Sequence, residues 1–178
     1  MAANTAANVL VGATGHVYGA PSGTSLPTHE IEGLNASFVN LGYISEAGVV
    51  QHISGSVTTI KAWGGDVIRK VRTEHDLTFD VVMIETNPTS LGTYYGPQSD
   101  AATVTEIKAN NGLRQSWVID VVDGTNLVRI VIPDGEVLET GDVTYATANA
   151  ISYPITISAY ADGSGNKAYV YAHDTGAS

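Results

Sequence analysis

The chain has 178 residues, no cysteine, and 18 acidic against 8 basic side chains, for a formal net charge of −10. That excludes disulfides and thiolate metal sites, and it argues against binding nucleic acid by neutralising phosphates. With 43% hydrophobic and 15% charged residues it reads as a folded chain of one domain's length, with surface left over for subunit contacts.

No apolar run reaches the length that crosses a membrane. The start, Met1-Ala2-Ala3-Asn4-Thr5, lacks the cationic head of a signal peptide. Residues 1–8 are small and polar and read as a loose tail. Residues 9–18 read as a first strand interrupted by Gly12 and Gly15. Residues 19–35 hold Pro21, Gly23, Pro27 and Gly33 and read as a long loop, so 1–35 is an N-terminal strand and arm. Residues 38–45 read as a strand and Glu46-Ala47-Gly48 as a turn. Residues 49–60 fit either a strand or an exposed hairpin arm, because Gly55 and the Ser/Thr content weaken any core pattern. Trp63 anchors the base of that arm and Gly64-Gly65 bends after it, making 49–65 an expected inter-subunit arm.

Val67, Arg69, Val71 and Thr73 fall on one side of an extended chain, and Leu77, Phe79, Val81 and Met83 on one side of the next. The short polar link between them predicts that these two strands pair as an antiparallel hairpin. Asn87-Pro88 then stops the strand and opens a short helix, with Asn87 as N-cap and Pro88 at the first position, where its missing N–H costs nothing. That helix turns Leu91, Tyr94 and Tyr95 inward onto the strand at 77–84, and Gly96-Pro97 ends it.

Residues 98–102 read as a loop and 104–109 as a strand, followed by an Asn110-Asn111-Gly112 turn. Residues 114–122 and 127–132 read as strands joined through Asp123-Gly124-Thr125. Pro133-Asp134-Gly135 reads as another turn, with a short extended piece at 136–138. Residues 144–149 fit loop or strand. Residues 151–160 place Ile151, Tyr153, Ile155, Ile157 and Ala159 on one face. Residues 162–166 read as a turn and 167–172 as a closing strand. Many short strands at 8–12-residue spacing with one short helix predict a mainly β chain, an antiparallel sandwich or barrel-like subunit with a flanking helix and loop arms.

Motifs with catalytic or cofactor chemistry are weak. The glycines of Gly12-Ala13-Thr14-Gly15-His16-Val17-Tyr18-Gly19 suggest a phosphate-binding turn, but Pro21 and Gly23 follow where a helix is needed. His16, His29, His52, His75 and His173 have no metal-ligand spacing. No G-x-S-x-G elbow occurs. The oxygens of 162–166 suggest a calcium loop, yet a hairpin turn explains them better. Trp63 and Trp117 could form a sugar-stacking platform, but such tryptophans are more often core or interface anchors. No catalytic, cofactor or metal residue is assigned.

Ala62-Trp63-Gly64-Gly65-Asp66-Val67-Ile68-Arg69-Lys70-Val71, then the Thr78-Phe79 strand, then Met83-Ile84-Glu85-Thr86-Asn87-Pro88-Thr89-Ser90-Leu91-Gly92-Thr93-Tyr94-Tyr95-Gly96, resembles the major tail protein of long-tailed bacteriophages. The resemblance takes in residues 41–49 and 15–23 upstream and fades after about residue 100. The residues that carry it include Trp63, Gly64, Gly65, Phe79, Glu85, Asn87, Pro88, Leu91, Tyr94, Tyr95 and Gly96. It implies a sandwich-like subunit that forms hexameric rings stacked into a tail tube, made and assembled in the host cytoplasm and carried in the virion. It implies contacts with further copies, and with tape measure, tail terminator and tail tip proteins. It also implies a lumen through which phage DNA is ejected without specific binding.

An acidic lumen wall suits that passage, and Glu74, Asp76, Asp80, Asp120 and Asp123 are the candidates for it. The alternative is a non-catalytic β-sandwich binding module or capsid decoration protein, which composition alone permits equally well. Assembly size discriminates the two.

Overall fold

The computed structural model describes residues 9–98, 104–107 and 112–172. In chain order its elements are β1 (Thr14–Pro21), β2 (Val39–Asn40), β3 (Ile44–Ser54), β4 (Val57–Lys61), β5 (Val67–Arg72), β6 (Asp76–Met83), α1 (Pro88–Tyr95), β7 (Leu113–Asp123), β8 (Asn126–Thr140), β9 (Tyr153–Ala159) and β10 (Tyr169–Ala172). The main sheet runs β2-β1-β7-β8-β9-β6-β3, with β10 added along the first half of β8; β4 and β5 form a separate two-stranded sheet. All pairs are antiparallel. The sheet curls, bringing β1 near one end across from β3 at the other.

Alternation in the sequence becomes burial. Leu77, Phe79, Val81 and Met83 of β6 and Tyr153, Ile155, Ile157 and Ala159 of β9 all point into the core, their polar neighbours outward. Trp117 and Ile119 of β7, Ile132 and Val137 of β8, Val17 of β1 and Leu41 complete that core. β7 is buried on both faces from Ser116 to Asp120. On its outer side Arg129 and Asp120 pair at 2.7 Å, and Arg129 Nη1 donates to the carbonyls of His29 and Glu32. The loop after β1 is thereby tied onto β8.

Two glycine-bearing turns of the sequence reading are bulges inside continuous strands. β8 runs through Pro133-Asp134-Gly135, with one residue more than β7 between the pairs Gln115↔Gly135 and Trp117↔Ile132. A bulge tolerates proline because the ladder is already interrupted there. Gly135 is required by packing: a Cβ would lie 2.8 Å from Trp117 Cδ1, and Trp117 Nε1 donates to the Gly135 carbonyl at 3.0 Å. Likewise Glu46-Ala47-Gly48 lies within β3, where the register shifts and Gly48 takes φ +68°.

The first strand starts at Thr14, not Val9. Residues 38–45 divide between β2, a break, and the start of β3. Val104–Ile107 are not strand. The Asn110-Asn111 turn, the 1–8 tail and His173 fall outside the described residues. The expected turns at Gly124-Thr125 and 162–166 are present, the first joining Asp123 to Asn126.

The helix is placed by its own first turn. Asn87 Oδ1 accepts from Ser90 N at 2.8 Å while Ser90 Oγ accepts from Asn87 N at 3.1 Å, a reciprocal cap with Pro88 at the first position. Gly96 closes it at φ +90°. Leu91, Tyr94 and Tyr95 pack on the core half-buried, and Ser90 and Thr93 are the fully buried positions. The helix lies nearest β9 and β8, where the sequence suggested β6, and its Leu91, Tyr94 and Tyr95 pack on the core that β6 shares with them. Tyr94 stacks edge-on against Tyr153 at 5.5 Å and donates its hydroxyl to the Gly141 carbonyl.

A candidate inter-subunit ribbon

The expected hairpin of 67–73 with 77–83 does not form. β5 pairs with β4, and β6 pairs with β3 on one side and β9 on the other. The four strands β3 to β6 instead make one long hairpin. Its lower half, Ile44–Ser54 against Asp76–Met83, belongs to the main sheet; its upper half, Val57–Lys61 against Val67–Arg72, is a two-stranded ribbon.

The joint between the halves explains the mispairing. Residues 73–75 are the longer side of an interruption facing Gly55-Ser56. There Thr73 N donates to the Ser56 carbonyl at 2.9 Å and the Ser56 hydroxyl donates to Glu74. A Cβ on Gly55 would lie 2.7 Å from the Glu74 carbonyl oxygen, so the close approach of the two chains depends on that glycine.

Among the described residues, no third layer covers the ribbon. All of β4 is exposed, and all of β5 except Val71, which is half-buried. Among its exposed side chains are Val57, Ile60, Val67 and Ile68, the last 69% accessible. By register, Thr58, Ile60, Arg69 and Val71 share one face and Val57, Thr59, Lys70 and Arg72 the other. Two strands with no packing partner are marginal in water, and uncovered apolar side chains of this kind mark surfaces that meet another molecule.

Trp63 sits at the ribbon's tip, not at its base. The tip is closed by Ala62 N to the Asp66 carbonyl at 2.8 Å and Gly65 N to the Ala62 carbonyl at 2.9 Å, with Gly65 at φ +94°. Trp63 is fully exposed there, whereas Trp117 is fully buried, so the two tryptophans form no platform. Of the other motif residues, Phe79 is core. Glu85 accepts from Tyr43 N at 3.0 Å, tying the start of β3 to the helix entry.

The five candidate lumen acids do not form one cluster. Glu74 and Asp76 stand at the ribbon's base, Asp76 3.9 Å from Lys167. Asp80, further along β6, contacts His52 at 3.0 Å and accepts from Thr156 at 2.7 Å. Asp123 ends β7 and accepts from Val11 N at 3.0 Å. Two strands, β8 and β9, separate β7 from β6. Asp120 is 7% exposed and bonded through both carboxylate oxygens to Arg129, so in this chain it is no surface charge. That bond raises the Arg129 pKa against the opposing effect of burial, and burial followed by the Asp120 charge raises that of Tyr18. Sequence reading missed the pair because nothing local marks Asp120 as inward-facing.

Among the described residues no three His, Asp or Glu side chains gather as a metal site requires. Asp162 Oδ1 accepts from Ser164 N at 2.8 Å and Asn166 N at 2.9 Å, the bonds of a local turn; it joins β9 to β10, which both pair with β8 and not with each other, so the expected hairpin is a plain turn. No helix follows β1, so its glycines face no phosphate site of the dinucleotide kind.

A family model for phage tail tube proteins matches residues 1–178. No curated protein matches the chain. Among solved structures, a chain of the PVC sheath–tube complex, an extracellular contractile injection system in its extended state, is 8% identical with a TM-score of 0.52, over 96% of this chain and 100% of that one. A chain of the anti-feeding prophage tube-terminating cap is 10% identical at a TM-score of 0.46, over 84% and 92% of the two chains. One from the PVC sheath/tube terminator is 10% identical at 0.46, over 89% and 93%. The first likeness speaks to the fold.

Proposed function

Because the chain belongs to the phage tail tube protein family, and is therefore a structural subunit of the virion tail and not an enzyme, we propose that it polymerises through its β4–β5 ribbon into stacked, hexameric rings enclosing a conduit for DNA. The observation that carries the assembly mode is the ribbon itself: a two-stranded extension with Val57, Ile60, Trp63, Val67 and Ile68 uncovered. A lone subunit gains nothing by exposing them. A neighbouring subunit that covers them removes apolar surface from water at about 25 cal/mol per Å². The terminal strands β3 and β2 of the main sheet add backbone groups on which neighbours can pair. The expected arm at 49–65 is thus redrawn: residues 49–54 belong to the sheet, and the contact segment is 57–72.

The lumen carries a net negative potential and lets DNA slide. Each phosphate neutralised by Lys or Arg adds a salt-dependent hold on the duplex, and repeated along a tube such holds would stall it. Glu74, Asp76, Asp80 and Asp123 remain candidates for that wall. Tape measure, tail terminator and tail tip proteins are the further partners that a tube of this family requires.

Negative-stain microscopy with sedimentation of the purified chain tests assembly. Replacing residues 55–75 by Asn-Gly joins Ser54 to Asp76, already a cross-strand pair, by a two-residue turn. The shortened protein should keep its cooperative melt and remain a monomer where the full chain forms rings or tubes. Tubes of normal length from it would refute the ribbon's role. Tight, salt-sensitive DNA retention by wild-type tubes would refute the repelling lumen.

A further inference from the structure

We propose that the ribbon is an electrostatic plug: its unpaired cations dock on the acidic body of a second copy of this chain, so that charge sets where the apolar ribbon lands. The proposal rests on the ribbon being the inter-subunit element. The charge is distributed unevenly. Residues 57–72 hold four of the eight Lys and Arg residues and one of the eighteen Asp and Glu, giving +3 where the remainder of the chain carries −13.

The pairing is equally uneven. Among the described residues, each cation outside the ribbon meets a carboxylate of its own chain: Arg114 with Asp134, Arg129 with Asp120, and Lys167 with Asp76. Lys61, Arg69, Lys70 and Arg72 meet none among the described residues, although the chain has more than twice as many acids as bases. On the body, Glu46, Glu139 and Asp142 are exposed and likewise have no partner among the described residues. Glu139 lies at the end of β8, beside exposed Leu138, in a shallow groove with His52, Asp80 and Thr156.

The occupant that this combination fits is another copy. The ribbon needs a surface that is both acidic and partly apolar, and the body of this chain is one. Docked ribbon to body, each interface cancels charge that would otherwise repel between subunits of net −10. Cross-chain charge pairs of this kind act on register and encounter rate more than on raw affinity. They also make association sensitive to salt, because the screening length falls from roughly 8 Å at 0.15 M to about 3 Å at 1 M. A nucleic acid is the other polyanion that four free cations could meet, and the same experiment separates it.

The test measures the critical concentration for polymerisation by light scattering at 0.05, 0.15 and 0.5 M NaCl. Wild type should need about tenfold more protein at the highest salt than at the lowest. Lys70→Glu with Arg72→Glu should raise the critical concentration at least tenfold at low salt, with an unchanged melt of the monomer, and Lys70→Arg with Arg72→Lys should restore it. Glu139→Lys with Asp142→Lys, mixed with the charge-reversed ribbon variant, should recover co-polymers that neither forms alone. A charge-reversed ribbon that assembles like wild type at every salt overturns the plug. If the ribbon deletion still fails to assemble in that case, the ribbon remains the interface and only its electrostatic role falls. If the charge-reversed variant assembles normally but loses DNA binding that wild-type tubes show, the cations serve nucleic acid and the proposal is also overturned.

Discussion

Asp120→Ala should be among the most damaging single substitutions in this chain. Asp120 and Arg129 have side-chain accessibilities of 9% and 7%, and two bonds of 2.7 and 2.8 Å join them. Removing the carboxylate leaves Arg129 charged, because a guanidinium does not deprotonate in a protein, and buried, because its Nη1 stays held by the His29 and Glu32 carbonyls. Breaking a buried pair on one side costs about 3–5 kcal/mol. For a domain of this size each kcal/mol moves the melting temperature by about 2–4 °C, so the melt should fall by roughly 6–20 °C. Circular dichroism melts and urea titrations of the unassembled subunit measure this. Amide exchange at residues 29–32 should quicken, since their anchor is disturbed. Asp120→Leu with Arg129→Met removes both charges and should recover most of the loss. A melt of Asp120→Ala within about 1 kcal/mol of wild type would refute the reasoning, by showing that water reaches Arg129 and that Asp120 is free to serve as a surface charge.

Three further outcomes are expected. Gly135→Ala drives a Cβ to 2.8 Å from Trp117 Cδ1 and 3.0 Å from Ile157 Cγ2, and should cost about 1–3 kcal/mol in urea unfolding, as overpacking does. Asn87→Ala removes the acceptor for Ser90 N and should cost about 1 kcal/mol, with Asn87→Gly closer to wild type. On the acid side, the hydrogen bonds from Arg114 hold the Asp134 carboxyl below its ordinary 3.8. A carboxylate whose pKa is depressed by folding adds stability above the unfolded value and loses it as pH falls through the folded one. Stability should therefore drop below pH 3.8, and Asp134→Asn should flatten that part of the profile.

The sequence by itself determined what depends on neighbours along the chain. The alternation of residues 77–83 and 153–159 is a property of consecutive side chains, and both segments are strands with those faces inward. Asn87-Pro88 carries its own cap, so the helix lies where local chemistry puts it. The ordered run from Trp63 to Gly96 likewise carried the family.

Tertiary structure alone decided what depends on distant partners. Residues 67–72 alternate as any strand does, and their pairing with β4 in place of β6 follows from the Gly55–Glu74 approach and from β6 being taken on both edges by β3 and β9. Pro133-Gly135 has the residues of a turn, and it became a bulge because Trp117 lies against Gly135. Asp120 was legible only as one more acid. Its burial is imposed by Arg129 from the adjacent strand and by carbonyls 97 and 100 residues away from that arginine. Local propensity acts within a few residues, whereas pairing and burial are settled by which surfaces the whole chain can bring together.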